Sequence, residues 1–186
     1  MPRYVALLRG INVGGRNMVA MADLRQVVAS LGHTEVATYI QSGNIVFTSP
    51  DASVPGLADA LEQQIARSLA VQPAVVVLSR ADLAQVIADN PFPQEASPKC
   101  LHAVFRRQDM TPEALAAIAA AQQSARAKGS RDEAIVVGRT LFLRTPDGLG
   151  RSELAAQLAR SSAQAAGTAR NWATVTRLMA MLDSAT

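Results

Sequence analysis

Short apolar runs and helical stripes alternate along this chain in an order that occurs twice. Tyr4 to Leu8 reads as a buried strand. Met21, Leu24, Val27, Val28 and Leu31 then fall on one helical face, and Gly32 supplies a C-terminal stop. Glu35 to Gln41 alternates, with Val36, Thr38 and Ile40 on one side. Ser42-Gly43-Asn44 turns the chain and Ile45 to Thr48 returns as a strand. Leu57, Leu61, Ile65 and Leu69 mark a second helix, and Val75 to Leu78 a further strand. Strand, helix, strand, strand, helix, strand is the split βαβ, ferredoxin-like order, with an antiparallel sheet and both helices on one face.

Ser79 and Asp82 have capping-box spacing ahead of a helix that turns Leu83, Val86 and Ile87 inward. Asn90 to Pro98 holds three prolines and reads as a linker. A second round begins at the strand Leu101 to Arg106. Thr111 caps a helix with Pro112 at its first position. Ala134 to Val137 and Thr140 to Arg144 flank the hairpin turn Gly138-Arg139. Leu154 and Leu158 mark a helix after Ser152, a short strand lies near Gly167 to Ala169, and Asn171 caps a last helix carrying Val175, Leu178, Met179 and Leu182. The expected architecture is α+β, with two ferredoxin-like (α-β plait) subdomains. Residues 1–79 form the first, 80–99 a connecting helix and Pro-rich linker, and 100–186 the second with its terminal helix.

Composition supports packed units. Hydrophobic residues make up 49% of the 186 and charged residues 18%, which disfavours disorder. Aromatics are 4%, so rows of exposed rings for reading RNA bases are short of material; Tyr4 and Phe47 are the only candidates in the first unit. The net charge of +3 rests almost wholly on Arg, since Lys occurs only at Lys99 and Lys128. Arg suits phosphate, but a surplus this small argues for nucleic acid only if it clusters. Cys100 is the single cysteine, which removes an internal disulfide or a cysteine metal cluster and fits a reduced cytoplasm. No metal site or cofactor motif is expected. The N-terminal apolar run is too short for a signal peptide, and no run approaches membrane length.

Two glycine-rich loops carry the candidate chemistry. Gly10-Ile-Asn-Val-Gly-Gly-Arg-Asn17 follows the first strand. Its Gly10, Gly14 and Gly15 fit neither G-x-G-x-x-G nor a Walker A loop. What remains is a generic anion-accepting loop, flanked by Arg9 and Arg16 with Asn12 and Asn17 as amide donors, or else a structural turn. Gln41, Ser42 and Asn44 form a polar hairpin tip. Pro146-Asp-Gly-Leu-Gly-Arg-Ser152 leads into a helix N-terminus, where Gly148, Gly150, Arg151 and Ser152 suit an anion. Arg170 and Asn171 precede the final helix in the same manner. Asp147 is the one candidate catalytic base, although Asp before Gly is ordinary turn chemistry. His33, His102, Cys100 and Trp172 read as structural.

The motifs Tyr4-Val-Ala-Leu-Leu-Arg-Gly-Ile-Asn-Val-Gly-Gly, Thr38-Tyr-Ile-Gln-Ser-Gly-Asn, Asn90-Pro-Phe-Pro, Pro146-Asp-Gly-Leu-Gly-Arg-Ser and Thr168-Ala-Arg-Asn-Trp resemble those of the bacterial family called domain of unknown function 1697. They span nearly the whole chain in the family's order. The resemblance implies two ferredoxin-like subdomains and carries no activity. Arg16 stands where relatives often have Lys. Glu153 also stands where Lys is common, which removes a positive charge beside the second loop.

Three function classes stay open on the residues. The first is a binding module for a phosphorylated ligand, whether a small molecule such as a nucleotide or a nucleic-acid backbone, in which Arg9, Arg16, Arg151 and Arg170 share one pocket. The second is a transferase or hydrolase using Asp147, and the third an interaction protein pairing through open sheet edges. The first is favoured, with no membrane partner. Oligomeric state is open.

Overall fold

A computed structural model describes residues 1–160 and 167–184. The chain divides into two compact units, residues 1–85 together with 177–186, and residues 86–176.

In the first unit the elements run β1 (Arg3–Leu8), α1 (Met21–Ser30), β2 (Thr34–Tyr39), β3 (Asn44–Thr48), α2 (Val54–Leu69) and β4 (Val75–Ser79). The sheet order is β2-β3-β1-β4, antiparallel throughout, as the split βαβ pattern demands. Register sets the faces: Tyr4 lies opposite Phe47 and Ser79, and Ala6 opposite Ile45 and Val77. Tyr4, Ala6, Ile45, Phe47 and Val77 pack with Leu24 and Val28 of α1 and Leu57, Leu61 and Ile65 of α2. Each such burial is worth roughly 1.5–3 kcal/mol, so this face dominates the unit's stability. Tyr4 and Phe47 are buried in it and offer no platform for bases. Ser53 caps α2, its Oγ accepting from the Gly56 N–H at 3.2 Å. The edge strand β2 is bulged between Thr34 and Ala37, with Glu35 at φ +51°. That bulge is absent from the simple alternation expected of Glu35 to Gln41.

The second unit repeats the order as β5 (Leu101–Arg106), α4 (Pro112–Ala127), β6 (Glu133–Val137), β7 (Thr140–Arg144), α5 (Glu153–Arg160) and β8 (Gly167–Asn171), with sheet order β6-β7-β5-β8. Val104, Leu141 and Leu143 pack with Ile118, Ala121 and Ala125 of α4 and Leu154 and Leu158 of α5. Thr111 caps α4 through the Ala114 N–H at 3.2 Å. Gly138, at φ +56°, makes the two-residue turn between β6 and β7.

α3 (Arg80–Ala88) carries the expected capping box: Ser79 N–H and Oγ both donate to Asp82 Oδ2, and the Asp82 N–H donates to Ser79 Oγ. The units do not divide where composition suggested. Segment 90–98 packs within the second unit: Phe92 is buried with Leu101 and Phe142, and Glu95 binds Arg144 at 2.8 Å. The last helix, α6 (Trp172–Asp183), begins in the second unit, while residues 177–186 group with the first. Its end is tied there by Arg3, which donates to the carbonyls of Leu182 (3.2 Å) and Ser184, and by Arg80, which binds Asp183 at 2.7 Å. Contacts that join residues so far apart in sequence leave no local signal.

Candidate functional site

The loop after β1 is a miniature hairpin. Val13 and Arg16 form an isolated bridge, the Arg16 N–H donates to the Val13 carbonyl at 3.0 Å, and Gly14 and Gly15 between them take φ +57° and +74°. Two successive positive φ values make a type I′ turn, which side chains resist and glycines accept. A Cβ on either glycine would meet nothing within 4 Å, so this turn stands open. Among the described residues the Gly14 and Gly15 N–H groups make no hydrogen bond.

Asn12 is spent on holding the loop. Its Nδ2 donates to the carbonyls of Val19 (3.0 Å) and Gln41 (2.9 Å), and its Oδ1 accepts from the Val19 N–H at 2.7 Å. Asn17 Nδ2 donates to the Gly10 carbonyl at 2.8 Å. Asn44 is fully buried, donating to the Tyr39 carbonyl (3.0 Å) and Ser42 Oγ (2.8 Å). The three asparagines therefore build the loop and tip. Arg9, Gly10, Gly14, Gly15, Arg16 and Gln41 face solvent. So do Val13 (65% exposed), Met18 (66%) and Ile40 (52%); Ile40 lies beyond the end of β2 rather than in line with Val36 and Thr38. Ile40 is at φ +48°, a left-handed conformation that costs a β-branched residue roughly 1–2 kcal/mol.

The second glycine loop is organised around a residue that the motif did not include. Asp132 is buried, and its Oδ2 accepts from Ser130 Oγ (2.7 Å) and Ser152 Oγ (2.8 Å). Ser152 Oγ in turn accepts from the Ala155 N–H at 2.8 Å, capping α5. Through Ser152 the start of α5 already has a carboxylate of its own chain. The signal for Asp132 was local, Ser130-x-Asp132, but its second partner lies twenty residues on. Gly148 holds φ +90° and its N–H donates to the Thr145 carbonyl at 2.9 Å. Asp147 is ion-paired with Arg131 at 2.6 Å and exposed. Glu153 binds Lys128 at 2.5 Å, which with Gln157 holds its carboxyl below the usual range. Leu149, Gly150 and Arg151 remain at the surface.

Arg170 sits on β8 and is buried, donating to Thr168 Oγ1 (2.7 Å) and the Ala169 carbonyl (2.8 Å). Burial lowers its pKa to about 10. Asn171 Oδ1 accepts from the Thr174 N–H at 2.9 Å, the expected cap. His33 is buried against Phe47 with ring centroids 4.8 Å apart, and burial lowers its pKa; His102 is lowered for the same reason. Trp172 packs near Phe142 at 6.1 Å. Among the described residues no three His, Cys, Asp or Glu side chains gather to hold a metal, and no helix is long and apolar enough to cross a membrane.

The candidates thus separate by unit. Within the first, the Asn12–Gln41 bond joins Arg9 to Asn17 with the tip Gln41 to Asn44, at the end of β1. Within the second, residues 148–152 follow β7 and Arg170 and Asn171 end β8, both bordering the start of β5. The two glycine loops are not equivalent in the repeat, since one follows the first strand of its unit and the other the third.

Among solved structures, "conserved bacterial protein SP0830" from Streptococcus pneumoniae is similar, at 26% identity with a TM-score of 0.76, over 98% of this chain and 99% of that one. A putative chlorite dismutase, TA0507, aligns at 11% identity with a TM-score of 0.27, over 98% of this chain and 100% of that one, too low to bear on the fold. No curated protein matches. Residues 1–142 match the family described as "Protein of unknown function (DUF1697)", and the chain belongs to that family.

Proposed function

We propose that the chain is a binding module for a phosphorylated, anionic ligand, held at the end of β1 by the loop from Arg9 to Asn17. The observation that carries this is the open Gly14-Gly15 turn: two successive amides without an internal partner, between the exposed guanidinium groups of Arg9 and Arg16. Residues 9–20 and 39–44 contain no Asp or Glu, so nothing on these segments opposes an anion. Backbone N–H groups at a glycine turn and a planar guanidinium both match phosphate oxygens. Gln41 adds a side-chain amide beside them. In the second unit Gly148, Gly150, Arg151, Ser152, Arg170 and Asn171 carry the weaker part of the proposal, because Ser152, Asp132 and Arg170 already have partners.

The test is retention on heparin and titration with ATP and with inorganic phosphate across a salt series. Arg9→Glu and Arg16→Glu together are expected to abolish binding, and wild-type affinity to fall as salt rises. Binding that ignores both the reversals and the ionic strength would sink the reading. Asp147→Asn is the control for catalysis on such a ligand.

A further inference from the structure

The seam between α4 and the edge strand β6 offers a second surface, independent of the loops. In the first unit the equivalent seam between α1 and β2 is bridged: Arg25 donates to Thr38 Oγ1 at 2.8 Å, and the bulge at Glu35 distorts the edge. In the second unit β6 runs in regular register with β7, and a groove of about 460 Å³ opens along α4. Leu115, Ile118, Gln122, Arg126, Ala134 and Val136 are among the residues that line it. Leu115 is 42% exposed.

The backbone of β6 faces the same opening. Val137 and Thr140 close the two-residue turn, so alternation directs the Glu133, Ile135 and Val137 backbone groups toward β7 and those of Ala134 and Val136 outward. The Ala134 N–H is covered by Gln122 Oε1 at 2.7 Å. That of Val136 has no hydrogen-bond partner among the described residues. An apolar groove beside outward strand amides is the geometry for adding one extended strand, whose alternate side chains would enter the groove.

We propose that this seam binds an extended acidic peptide segment of a partner protein as a fifth strand on β6. Main-chain bonds form at Ala134 and Val136, with Gln122 displaced. Apolar side chains enter between Leu115 and Ile118, and a carboxylate meets Arg126. Charge favours an acidic partner: no Asp or Glu lines the groove, and residues 86–176 hold eleven Lys and Arg against eight Asp and Glu.

The experiment titrates an N-acetylated peptide of about eight residues alternating Glu and Val into the ¹⁵N-labelled full chain, with a Lys–Val peptide as counterpart. The Ala134 and Val136 amides are expected to shift with the Glu–Val peptide while Gly14 and Gly15 do not. Leu115→Glu and Arg126→Glu, both at exposed positions, are each expected to weaken binding about tenfold or more. No shift at 134 and 136 with millimolar peptide, or equal shifts with the Lys–Val peptide, overturns the proposal. So does a shift that follows protein concentration without peptide, which would give the seam to a second copy of the chain.

Discussion

The first unit spends twelve residues between its first strand and first helix (9–20), whereas the second spends five on the equivalent link (107–111). The inner hairpins differ likewise, four linking residues (40–43) against two (138–139). At the next connection the imbalance reverses, with five residues before α2 and eight before α5. The sheets repeat, but the extra chain is placed at opposite ends of them. Charge is also divided unevenly: residues 1–85 and 177–186 hold seven of each sign, so the whole surplus belongs to the second unit. A repeated topology therefore does not imply a repeated site. Local charge at the Gly14-Gly15 turn matters there because the unit around it is balanced.

The sharpest way to test the difference is at the two hairpins. A Cβ on Gly43, at φ +75°, would lie 2.7 Å from Leu8 Cβ and 2.9 Å from Ile11 Cδ1, whereas one on Gly138 meets nothing within 4 Å. Gly43→Ala is expected to cost about 3 kcal/mol and Gly138→Ala about 1 kcal/mol in urea denaturation. Equal costs would mean that tip and loop are not packed as described.

The loops come next. Asn12→Ala removes three hydrogen bonds and a residue suited to φ +53°, for an expected loss of about 2–3 kcal/mol. Ser152→Ala removes a helix cap and leaves Asp132 short of one donor, for about 1–2 kcal/mol. Thermal unfolding of both variants measures whether each loop hangs on its own polar pin.

The histidines give a pH test in each unit. Burial holds both His33 and His102 below their ordinary value of 6.5. As pH falls below 6.5 the unfolded chain takes up protons that the folded rings refuse, so stability drops from there toward the folded pKa and is flat above 6.5. Urea midpoints between about pH 8 and pH 5 should fall on acidification, and His33→Gln or His102→Gln should each flatten the curve. Midpoints that rise with acid would contradict the burial of these rings. The smallest effect is expected of Asp147→Asn, at most about 0.5 kcal/mol by the same denaturation, because its pair with Arg131 is exposed.

The parts of the fold legible in sequence were those with local causes. Gly32 ended α1, Ser79 and Asp82 opened α3, and Gly138 turned β6 into β7, each through contacts within a few residues. The order of strands followed from their spacing. The bulge at Glu35 was not legible, because nothing in Thr34-Glu-Val-Ala marks an extra residue. Nor was Asp132, whose meaning depends on Ser152. At the candidate site the first loop was left open between an anion-accepting loop and a structural turn, and its glycines Gly10, Gly14 and Gly15 do take positive φ. Asn12 and Asn17 were read as amide donors toward a ligand and Asn44 as part of a polar hairpin tip, since the sequence alone does not show that acceptors of the same fold take their amides.

The tie of residues 177–186 to the first unit has a consequence for biosynthesis. Arg3 and Arg80 leave the ribosome well before the carbonyls and the carboxylate they bind. The second unit has all its strands before then, so its sheet does not depend on that clasp, while the first unit is complete only once residues 182–184 have been added. A recombinant fragment ending near residue 85 would lack that clasp, and joining 177–186 to it through a short linker is the way to restore it.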